Sequence, residues 1–255
     1  MVTSARARHE QASAQPTADS VAALRPDLGD TVVIIPMFNE ASVIGEVVSR
    51  LRRDFSQVVC VDDGSTDDSA AAATVAGAVV VRHPANLGQG AALQTGIEFA
   101  LSCPQQFRFF VTFDADGQHR VQDAVALLDR ARLGTSDVVL GSRFLTPTGQ
   151  VPFVRRLVLR GAVAFTRVTT GLALTDAHNG LRVLNRAAAT AMKLRLTGMA
   201  HASEILEVIA REQLTYSELP IEVLYTDYSR AKGQSSVNAL NIVFDLMANK
   251  VRVAR

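Results

Sequence analysis

The sequence predicts an α/β fold built around a mainly parallel sheet. Short apolar segments alternate with segments of helical periodicity from Thr31 to Phe144, and polar clusters follow directly after most of the apolar segments. Alternating strands and helices imply right-handed crossovers, parallel strands and helices on both faces of the sheet. The carboxyl ends of such strands share one edge, which is where α/β proteins bind their ligands.

Strands are expected where runs of apolar and β-branched residues are bounded by turn residues. These runs are Thr31–Pro36, Gln57–Asp63, Ala78–His83, Phe107–Asp116, Asp137–Phe144 and Leu219–Tyr228. Helices are expected where apolar residues recur three and four positions apart. These segments are Glu40–Asp54, Ser69–Ala76, Gly88–Cys103, Val121–Leu133 and His201–Gln213.

Composition indicates an ordinary globular protein. The chain has 255 residues, of which 48% are hydrophobic and 20% charged, enough for one α/β domain with a substantial core. Its net charge of +1 argues against a nucleic-acid-binding protein, which carries a basic face. Two cysteines, Cys60 and Cys103, are too few for a disulfide scaffold and fit a reducing compartment.

The ends of the chain differ in character from its centre. Residues 1–29 lack periodicity and are expected to form a disordered tail, residues 30–236 the main domain, and residues 237–255 an amphipathic helix. No apolar run reaches the eighteen or so residues of a membrane span, and no apolar segment of a secretory signal follows Arg6 and Arg8. We therefore expect a cytoplasmic protein.

The segment Val151–Leu174 is apolar but contains four arginines, which leaves two interpretations. It could be core whose arginines extend outward to solvent. It could instead lie in the headgroup plane of a membrane and guide a lipid substrate, which is the interpretation we favour.

The most specific motif follows the fourth predicted strand. The segment Phe109–His119 reads FFVTFDADGQH, so an apolar strand ends in Asp114 and Asp116, with Gln118 two positions further on. Carboxylates so spaced can bind a divalent cation while leaving positions for water and phosphate oxygens. A polar turn is the alternative, because Asp and Gly are common after strands. The pattern favours a metal–diphosphate site.

Further polar clusters are Pro36–Glu40, Asp62–Asp67, Asn86–Leu93, Gly141–Arg143, Asp176–Arg182 and Tyr228–Ser235. The first two can bind a nucleoside or simply cap the helices that follow them. The third is not a Rossmann fingerprint, because Leu93 occupies the third glycine position; it predicts a tight turn that brings a helix N-terminus close to a phosphate or sugar. Asp176 could belong to a site or pair with Arg182.

Taken in order, seven motifs resemble those of the family-2 inverting glycosyltransferases. They are P-x-x-N-E, V-D-D-G-S-x-D, N-x-G-x-G, D-A-D-G-Q-H, G-S-R, D-x-x-x-G-x-R and R-x-x-G-x-S, and they run from Thr31 to beyond Ser235. The resemblance is to the branch of dolichyl- and polyprenyl-phosphate sugar synthases, and it implies the GT-A fold. The chain differs from this pattern at Phe38, where Tyr is usual, and at Gln89, where many relatives have Lys.

The resemblance also implies roles for individual residues. Asp114, Asp116 and Arg143 would be catalytic. The nucleotide would be held by Pro36, Asn39, Glu40, Asp62, Asp63, Asp114, Ala115 and Asp116. Mg²⁺ or Mn²⁺ would be coordinated by Asp114, Asp116 and Gln118. The acceptor phosphate would be bound by Arg143, Arg155 and Arg156, and the loop closing over the diphosphate would contribute Arg230 and Lys232.

The chain more narrowly resembles an actinobacterial polyprenyl-phosphate N-acetylgalactosaminyl synthase. The stretches that carry this resemblance are VVCVDDGSTD, RHPANLGQGAALQTGIE, FDADGQHRV, HASEILEVI and VLYTDYSRAKGQ. This implies UDP-N-acetylgalactosamine as donor and polyprenyl monophosphate as acceptor, with the enzyme peripheral at the inner face of the plasma membrane, on the lipid surface or on a small membrane protein. One alternative is a synthase that uses GDP-mannose or UDP-glucose. Another is a non-catalytic protein that binds a sugar nucleotide. A nucleotidyltransferase is disfavoured, because P-M-F-N-E stands after the first strand instead of a basic glycine-rich loop.

Overall fold

The computed structural model of the protein describes residues 28–145, 161, 167–176, 179–196 and 201–224. The predicted tail (residues 1–29, apart from its last two) and the predicted C-terminal helix (237–255) lie outside these ranges. So do four residues assigned to the acceptor phosphate or the closing loop: Arg155, Arg156, Arg230 and Lys232.

Strands and helices alternate through the first half of the described chain, after a short 3₁₀ turn at Leu28–Asp30. The strands are β1 (Thr31–Met37), β2 (Gln57–Asp62), β3 (Val79–Arg82), β4 (Phe109–Thr112), β5 (Val138–Ser142), β6 (Arg182–Asn185) and β7 (Tyr216–Pro220). The helices are α1 (Ile44–Leu51), α2 (Ser69–Val75), α3 (Gln89–Ser102), α4 (Val121–Arg132), α5 (Arg186–Ala191) and α6 (His201–Arg211).

These strands form one sheet in the order β3-β2-β1-β4-β6-β5-β7. Pairings β1–β2, β2–β3, β1–β4 and β5–β7 are parallel, whereas β6 runs antiparallel to both β4 and β5. The predicted α/β class and mainly parallel sheet are therefore confirmed. The carboxyl ends of six strands and the amino end of β6 share one edge.

Apolar layers cover both faces of the sheet. Alternate residues of β1 point to opposite faces, as the pleat requires. Val33 and Ile35 belong to the layer that contains residues of α1, α2 and α4, and Val32 and Ile34 to the layer that contains residues of α3, α5 and α6. Burial on both faces explains why β1 reads as a continuous apolar run.

The second half of the chain departs from the prediction at three elements, although helix α6 (His201–Arg211) confirms the helix expected at His201–Gln213. Strand β7 begins at Tyr216 and ends at Pro220, so the strand expected at Leu219–Tyr228 was placed too late. Residues of β7 are mostly half-buried at the edge of the sheet, which weakens the apolar pattern that marks a strand. Strand β6 and helix α5 were not predicted, and β6 has only four residues. Both of its neighbours supply hydrogen bonds, so it needs no long apolar run of its own.

Candidate active site

The candidate site lies at the sheet edge formed by the carboxyl ends of β1, β2, β4 and β5 and the amino end of β6. Asp114 and Asp116 follow β4, and Arg143 follows β5. Strand β6 separates these two strands, so their ends lie roughly 10 Å apart, twice the spacing of neighbouring strands. The fold thus brings the two predicted halves of the site, metal–diphosphate and acceptor phosphate, to one edge.

Asp114 is held by several neighbours. Its Oδ2 lies 2.9 Å from Nε2 of the buried His119, and its Oδ1 is 3.4 Å from Nε2 of Gln89. Burial by itself would raise the pKa of Asp114, but the hydrogen bond with His119 and the positive charges of His119, Arg182 and His201 hold it below the ordinary value. Asp114 is therefore an anion at neutral pH.

Asp116 has the opposite electrostatic environment. Burial, followed by the charge of Asp114 and with a contribution from Glu40, raises the pKa of Asp116 to about 6. Its Oδ1 accepts a hydrogen bond from the backbone N–H of Gln118 at 3.0 Å. The charges of Asp114 and Glu40 thus disfavour a negative charge on Asp116, and a cation bound to the Asp114 and Asp116 carboxylates would offset this repulsion.

The donor set fits a hard divalent cation. Among the described residues, no group of three or more His, Cys, Asp or Glu side chains forms a complete metal cage. Mg²⁺ does not need one, because it binds through one or two carboxylates and completes its shell with water and substrate phosphates. Asp114 and Asp116 provide such carboxylates, and the buried Gln118 side chain lies next to them in sequence.

Asn39 and Glu40 lie in the loop after β1 and tie it to the loop after β2. The Asn39 N–H donates to Oγ of Ser65 (2.9 Å), and its Oδ1 accepts from the N–H of Thr66 (2.9 Å). The Glu40 N–H donates to Oγ of Ser69 at 2.7 Å. Asn39 has a φ of 53°, a left-handed conformation that Asn tolerates. The two loops therefore form one unit beside Asp116.

Asp62 and Asp63 are both buried, and both already have partners within the chain. Oδ1 of Asp62 accepts from the Ser65 N–H at 2.9 Å, and Oδ2 lies 2.8 Å from Nε of Arg82 in an ion pair. Asp63 accepts from the N–H groups of Leu87 (2.9 Å) and Gly88 (2.7 Å). This carboxylate therefore anchors the turn that begins α3.

His83 supports the same anchor. Its Nδ1 lies 2.7 Å from Oδ1 of Asp63, and its Nε2 lies 2.9 Å from Oγ1 of Thr95 on α3. Pro36 and Ala115, also assigned to the nucleotide, pack within the protein: Pro36 pairs with Val61 in the sheet, and Ala115 is buried in the core. Direct nucleotide contacts by these residues, and by Asp62 and Asp63, stay predictions.

Arg143, assigned to the acceptor phosphate, pairs with Asp176. Its Nε lies 2.6 Å from Oδ2 of Asp176, its Nη2 lies 2.7 Å from Oδ1, and its backbone N–H also donates to Oδ2 (3.1 Å). The sequence left open a pair between Asp176 and Arg182; the aligned two-point pair is with Arg143 instead. His178, within the same motif, lies outside the described residues.

Arg182 is nevertheless part of the site. It begins β6 and is only 2% exposed. Burial lowers the pKa of its guanidinium to about 10, an effect opposed by the charges of Asp114 and Asp176. Arg182 therefore stays charged at neutral pH and attracts both carboxylates, one on each side of the site.

Sequence reasoning did not identify the close packing around Asp114. A Cβ on Gly180 would lie 2.1 Å from Oδ2 of Asp114, so only glycine fits there without displacement. His119 is buried, with 6% of its surface exposed. Its place in the D-A-D-G-Q-H motif was the signal available, but only the fold shows that it turns back towards Asp114.

These features define a sheet-edge site suited to a nucleoside diphosphate and a second anionic substrate. The chain belongs to glycosyl transferase family 2, whose family model matches residues 32–191. The predicted enzyme class, a glycosyltransferase, is thereby confirmed.

Curated relatives include enzymes of lipid-linked sugar synthesis. The chain is 27% identical over 241 residues to the UDP-N-acetylglucosamine–dolichyl-phosphate N-acetylglucosaminyltransferase of Methanococcus voltae, covering 86% of this chain and 95% of that protein. It is 31% identical over 167 residues to the polyprenol monophosphomannose synthase of Mycolicibacterium smegmatis, covering 61% and 62% respectively. The resemblance to a polyprenyl-phosphate sugar synthase is thus supported, whereas none of these names supports N-acetylgalactosamine.

Solved structures confirm the GT-A fold. Glucosyl-3-phosphoglycerate synthase of Mycobacterium tuberculosis, in complex with Mn²⁺ and UDP-glucose, superposes with a TM-score of 0.62 at 20% identity, covering 77% of this chain and 71% of that one. At this identity the likeness establishes the fold alone.

Proposed function

We propose that the protein transfers a sugar from a nucleoside-diphosphate donor to polyprenyl monophosphate, with inversion at the anomeric carbon. The observation that carries this proposal is the position of two carboxylates and an arginine at one sheet edge, separated by the single strand β6. Family membership and the names of the dolichyl- and polyprenyl-phosphate relatives support the same acceptor class.

The acceptor is itself the nucleophile. The second pKa of a phosphate monoester is about 6, so its oxygen is already anionic near neutral pH. No side chain is needed to remove a proton before attack. The chain has to bind this anion, aim it at the anomeric carbon opposite the leaving diphosphate, and keep water away.

Asp114, Asp116 and Gln118 would hold Mg²⁺ or Mn²⁺ together with the donor diphosphate. When bound, the cation would neutralise the charge that develops on the leaving group. His119 fixes the orientation of Asp114, and Gly180 leaves room for that carboxylate. The glycine turn anchored by Asp63 presents the N-terminus of α3, whose backbone N–H groups favour anions.

Arg143 would bind the acceptor phosphate, and its planar guanidinium offers a two-point grip. Arg155 and Arg156 would assist it, while Arg230 and Lys232 would close over the diphosphate and limit donor hydrolysis. UDP-N-acetylgalactosamine is the donor we propose, with another UDP-sugar or GDP-mannose as the alternative. The enzyme would act at the inner face of the plasma membrane, on the lipid surface or through a membrane-protein partner.

Product analysis tests this proposal. Purified protein is incubated with polyprenyl phosphate, Mg²⁺ or Mn²⁺, and a panel of UDP- and GDP-sugars, and the lipid fraction is examined by mass spectrometry. We expect a polyprenyl-phosphate sugar to form, and EDTA to abolish it until metal is restored. Donor binding without transfer or hydrolysis of any sugar would instead support a non-catalytic sugar-nucleotide-binding protein.

A further inference from the structure

Arg143 is held by the buried carboxylate of Asp176. Asp176 accepts from its Nε (2.6 Å), its Nη2 (2.7 Å) and its backbone N–H (3.1 Å), and the Asp176 side chain is only 1% exposed. The backbone contact fixes where the side chain starts, and the two guanidinium contacts fix the plane in which it ends. Such bidentate pairs are among the most strongly oriented contacts between side chains.

Asp176 is in turn held by β7. The Glu218 carboxylate accepts from the N–H groups of Thr175 (2.8 Å to Oε2) and Asp176 (3.1 Å to Oε1). The Thr175 hydroxyl is also 2.6 Å from that of Ser142, the last residue of β5. Because these contacts join Asp176 to two neighbouring strands, it cannot follow Arg143 if that side chain swings outward.

The geometry of the pair fixes the orientation in which the Arg143 guanidinium would meet a ligand. A guanidinium has two edges that can grip an oxyanion, Nε with Nη2 and Nη1 with Nη2. Asp176 uses the first edge. A phosphate that binds Arg143 would therefore meet a guanidinium whose plane and angle Asp176 sets. Prior orientation reduces the side-chain entropy lost on binding.

We propose that Asp176 is a positioning residue for acceptor recognition, which holds the guanidinium of Arg143 in the orientation that receives the phosphate monoester. The inference rests on the proposed function, since it concerns the same acceptor. The competing explanation is a purely structural ion pair that ties the segment before β6 to the end of β5. The two explanations differ in what they predict for acceptor kinetics.

A double-mutant cycle separates them. Initial rates are measured for wild type, Asp176→Asn, Arg143→Gln and the double variant, varying polyprenyl phosphate at saturating donor and then the reverse. We expect Asp176→Asn to lower kcat/KM for polyprenyl phosphate about ten- to a hundredfold, mainly through KM, with donor KM changed less than about twofold. The double variant should match Arg143→Gln within about twofold, because Asp176 acts through Arg143.

Two further variants keep the test decisive. Asp176 also attracts the buried cation Arg182, so Asp176→Asn could unfold the protein. In that case Glu218→Gln takes its place in the cycle, because it leaves Asp176 charged but loosens its backbone. We expect Glu218→Gln to cause a smaller loss that is again specific to the acceptor. Asp137→Asn is the matched control. Asp137 accepts hydrogen bonds from Thr215 and Asn185 at the opposite end of β5, so it should lower stability without raising acceptor KM.

Each outcome has a distinct meaning. If wild type transfers sugar but the losses from Asp176→Asn and Arg143→Gln multiply, or Asp176→Asn raises donor KM as much as acceptor KM, the positioning role is wrong and the pair is structural. If wild type itself forms no polyprenyl-phosphate sugar with any donor, the proposed function fails first, and the inference about its acceptor falls with it.

Discussion

At the scale of single residues, the two carboxylates after β4 have different surroundings. Asp114 pairs with His119, whereas the pKa of Asp116 is raised to about 6 by burial and by its acidic neighbours. We predict that Asp116→Asn abolishes Mn²⁺-dependent transfer and weakens Mn²⁺ binding in a calorimetric titration while the protein stays folded. Asp129→Asn, which changes an exposed aspartate on α4, is the control. Near wild-type activity of Asp116→Asn in saturating metal would rule out the metal assignment.

The same residue predicts a pH-dependent effect on stability. With its pKa raised from 3.8 to about 6, the folded protein binds more protons at Asp116 than the unfolded chain does, so stability falls as pH rises through this interval. In EDTA, Asp116→Asn should therefore have a higher Tm than wild type at pH 7.5, by an amount that shrinks towards pH 4. Scanning calorimetry across this range measures it, and a difference independent of pH would contradict the shift.

Arg143 provides a test of the chemistry of its side chain. We predict that Arg143→Lys damages turnover although the charge is kept, because Lys cannot form two parallel hydrogen bonds with Asp176 or with a phosphate. Loss of a charge-assisted contact costs roughly 1.5–3 kcal/mol, which is about ten- to a hundredfold in kcat/KM for polyprenyl phosphate. Arg108→Lys, at the amino edge of the sheet, is the control. A collapse of donor affinity with unchanged acceptor kinetics would instead place Arg143 at the diphosphate.

Residue chemistry was readable from the sequence only where residues adjacent in the chain act together. Asp114 and Asp116 are two positions apart after a strand, so their shared position at the sheet edge followed from the pattern. Asp176 and Arg143 are separated by 33 positions, and either of two arginines could have been its partner. Choosing between them requires the register of β6 against β4 and β5, which no local periodicity encodes.

Among the elements, β6 has the greatest influence on the site although it has only four residues. It runs antiparallel between β4 and β5, and Gly180, two residues before its start, lies against Asp114. We predict that Gly180→Ala displaces this carboxylate, because the new Cβ would lie 2.1 Å from Oδ2. Such overpacking costs about 1–3 kcal/mol, and we expect Mn²⁺ affinity and transfer to fall at least about tenfold.

Gly45→Ala is the matched control for this substitution. Gly45 lies in α1, and the nearest atom to its added Cβ, the Ala72 carbonyl oxygen, is 3.7 Å away, an ordinary contact. Stability and activity of that variant should equal or slightly exceed those of wild type, because Ala favours the helix. If the two substitutions changed metal affinity equally, the loss at Gly180 would not be due to displacement of the Asp114 carboxylate.

Elements up to β5 and helix α6 were predicted closely, whereas β6, α5 and β7 were not. Helix α3 was expected at Gly88–Cys103 and is found at Gln89–Ser102, since a glycine turn starts it and apolar residues recur along it. Strand β7 was displaced because its Tyr, Ser and Glu residues do not alternate with apolar ones. Glu218 lies there as the carboxylate that holds Thr175 and Asp176. A strand whose polar residues serve the site loses the pattern that would reveal it.

In the whole molecule, the sheet carries two proposed binding regions, one for the donor and one for the acceptor, which meet at β4 and β6. Loops after β1, β2 and β3 form the hydrogen-bonded unit beside the D-x-D carboxylates. Strands β5 and β7 hold Arg143 through Asp176. Buried Arg182, at the start of the strand between them, attracts Asp114 and Asp176 alike. Strand β6 thus places a buried positive charge between the proposed donor and acceptor regions.

To use the proposed lipid acceptor, the protein has to reach a membrane surface. No helix among the described residues is long and apolar enough to cross a membrane. Leu145, which precedes the apolar, arginine-containing segment Val151–Leu174, is 42% exposed, and Val168 within this segment is 86% exposed. A surface that combines apolar and basic residues binds anionic lipid through both buried area and charge. We therefore predict reversible association with anionic liposomes, weakened by salt.

A flotation assay measures this association. At low salt, wild type should float with vesicles containing anionic lipid, and replacing Arg155 and Arg156 by Glu should abolish flotation, because two attractive charges become repulsive. Each basic residue near such a surface contributes about 1 kcal/mol, so the reversal should lower binding at least about tenfold. Arg53 and Arg108, exposed residues outside the stretch, provide the matched double reversal, which should still float. Equal loss in both double variants would show attraction by overall charge, and the proposed membrane-facing surface would be wrong.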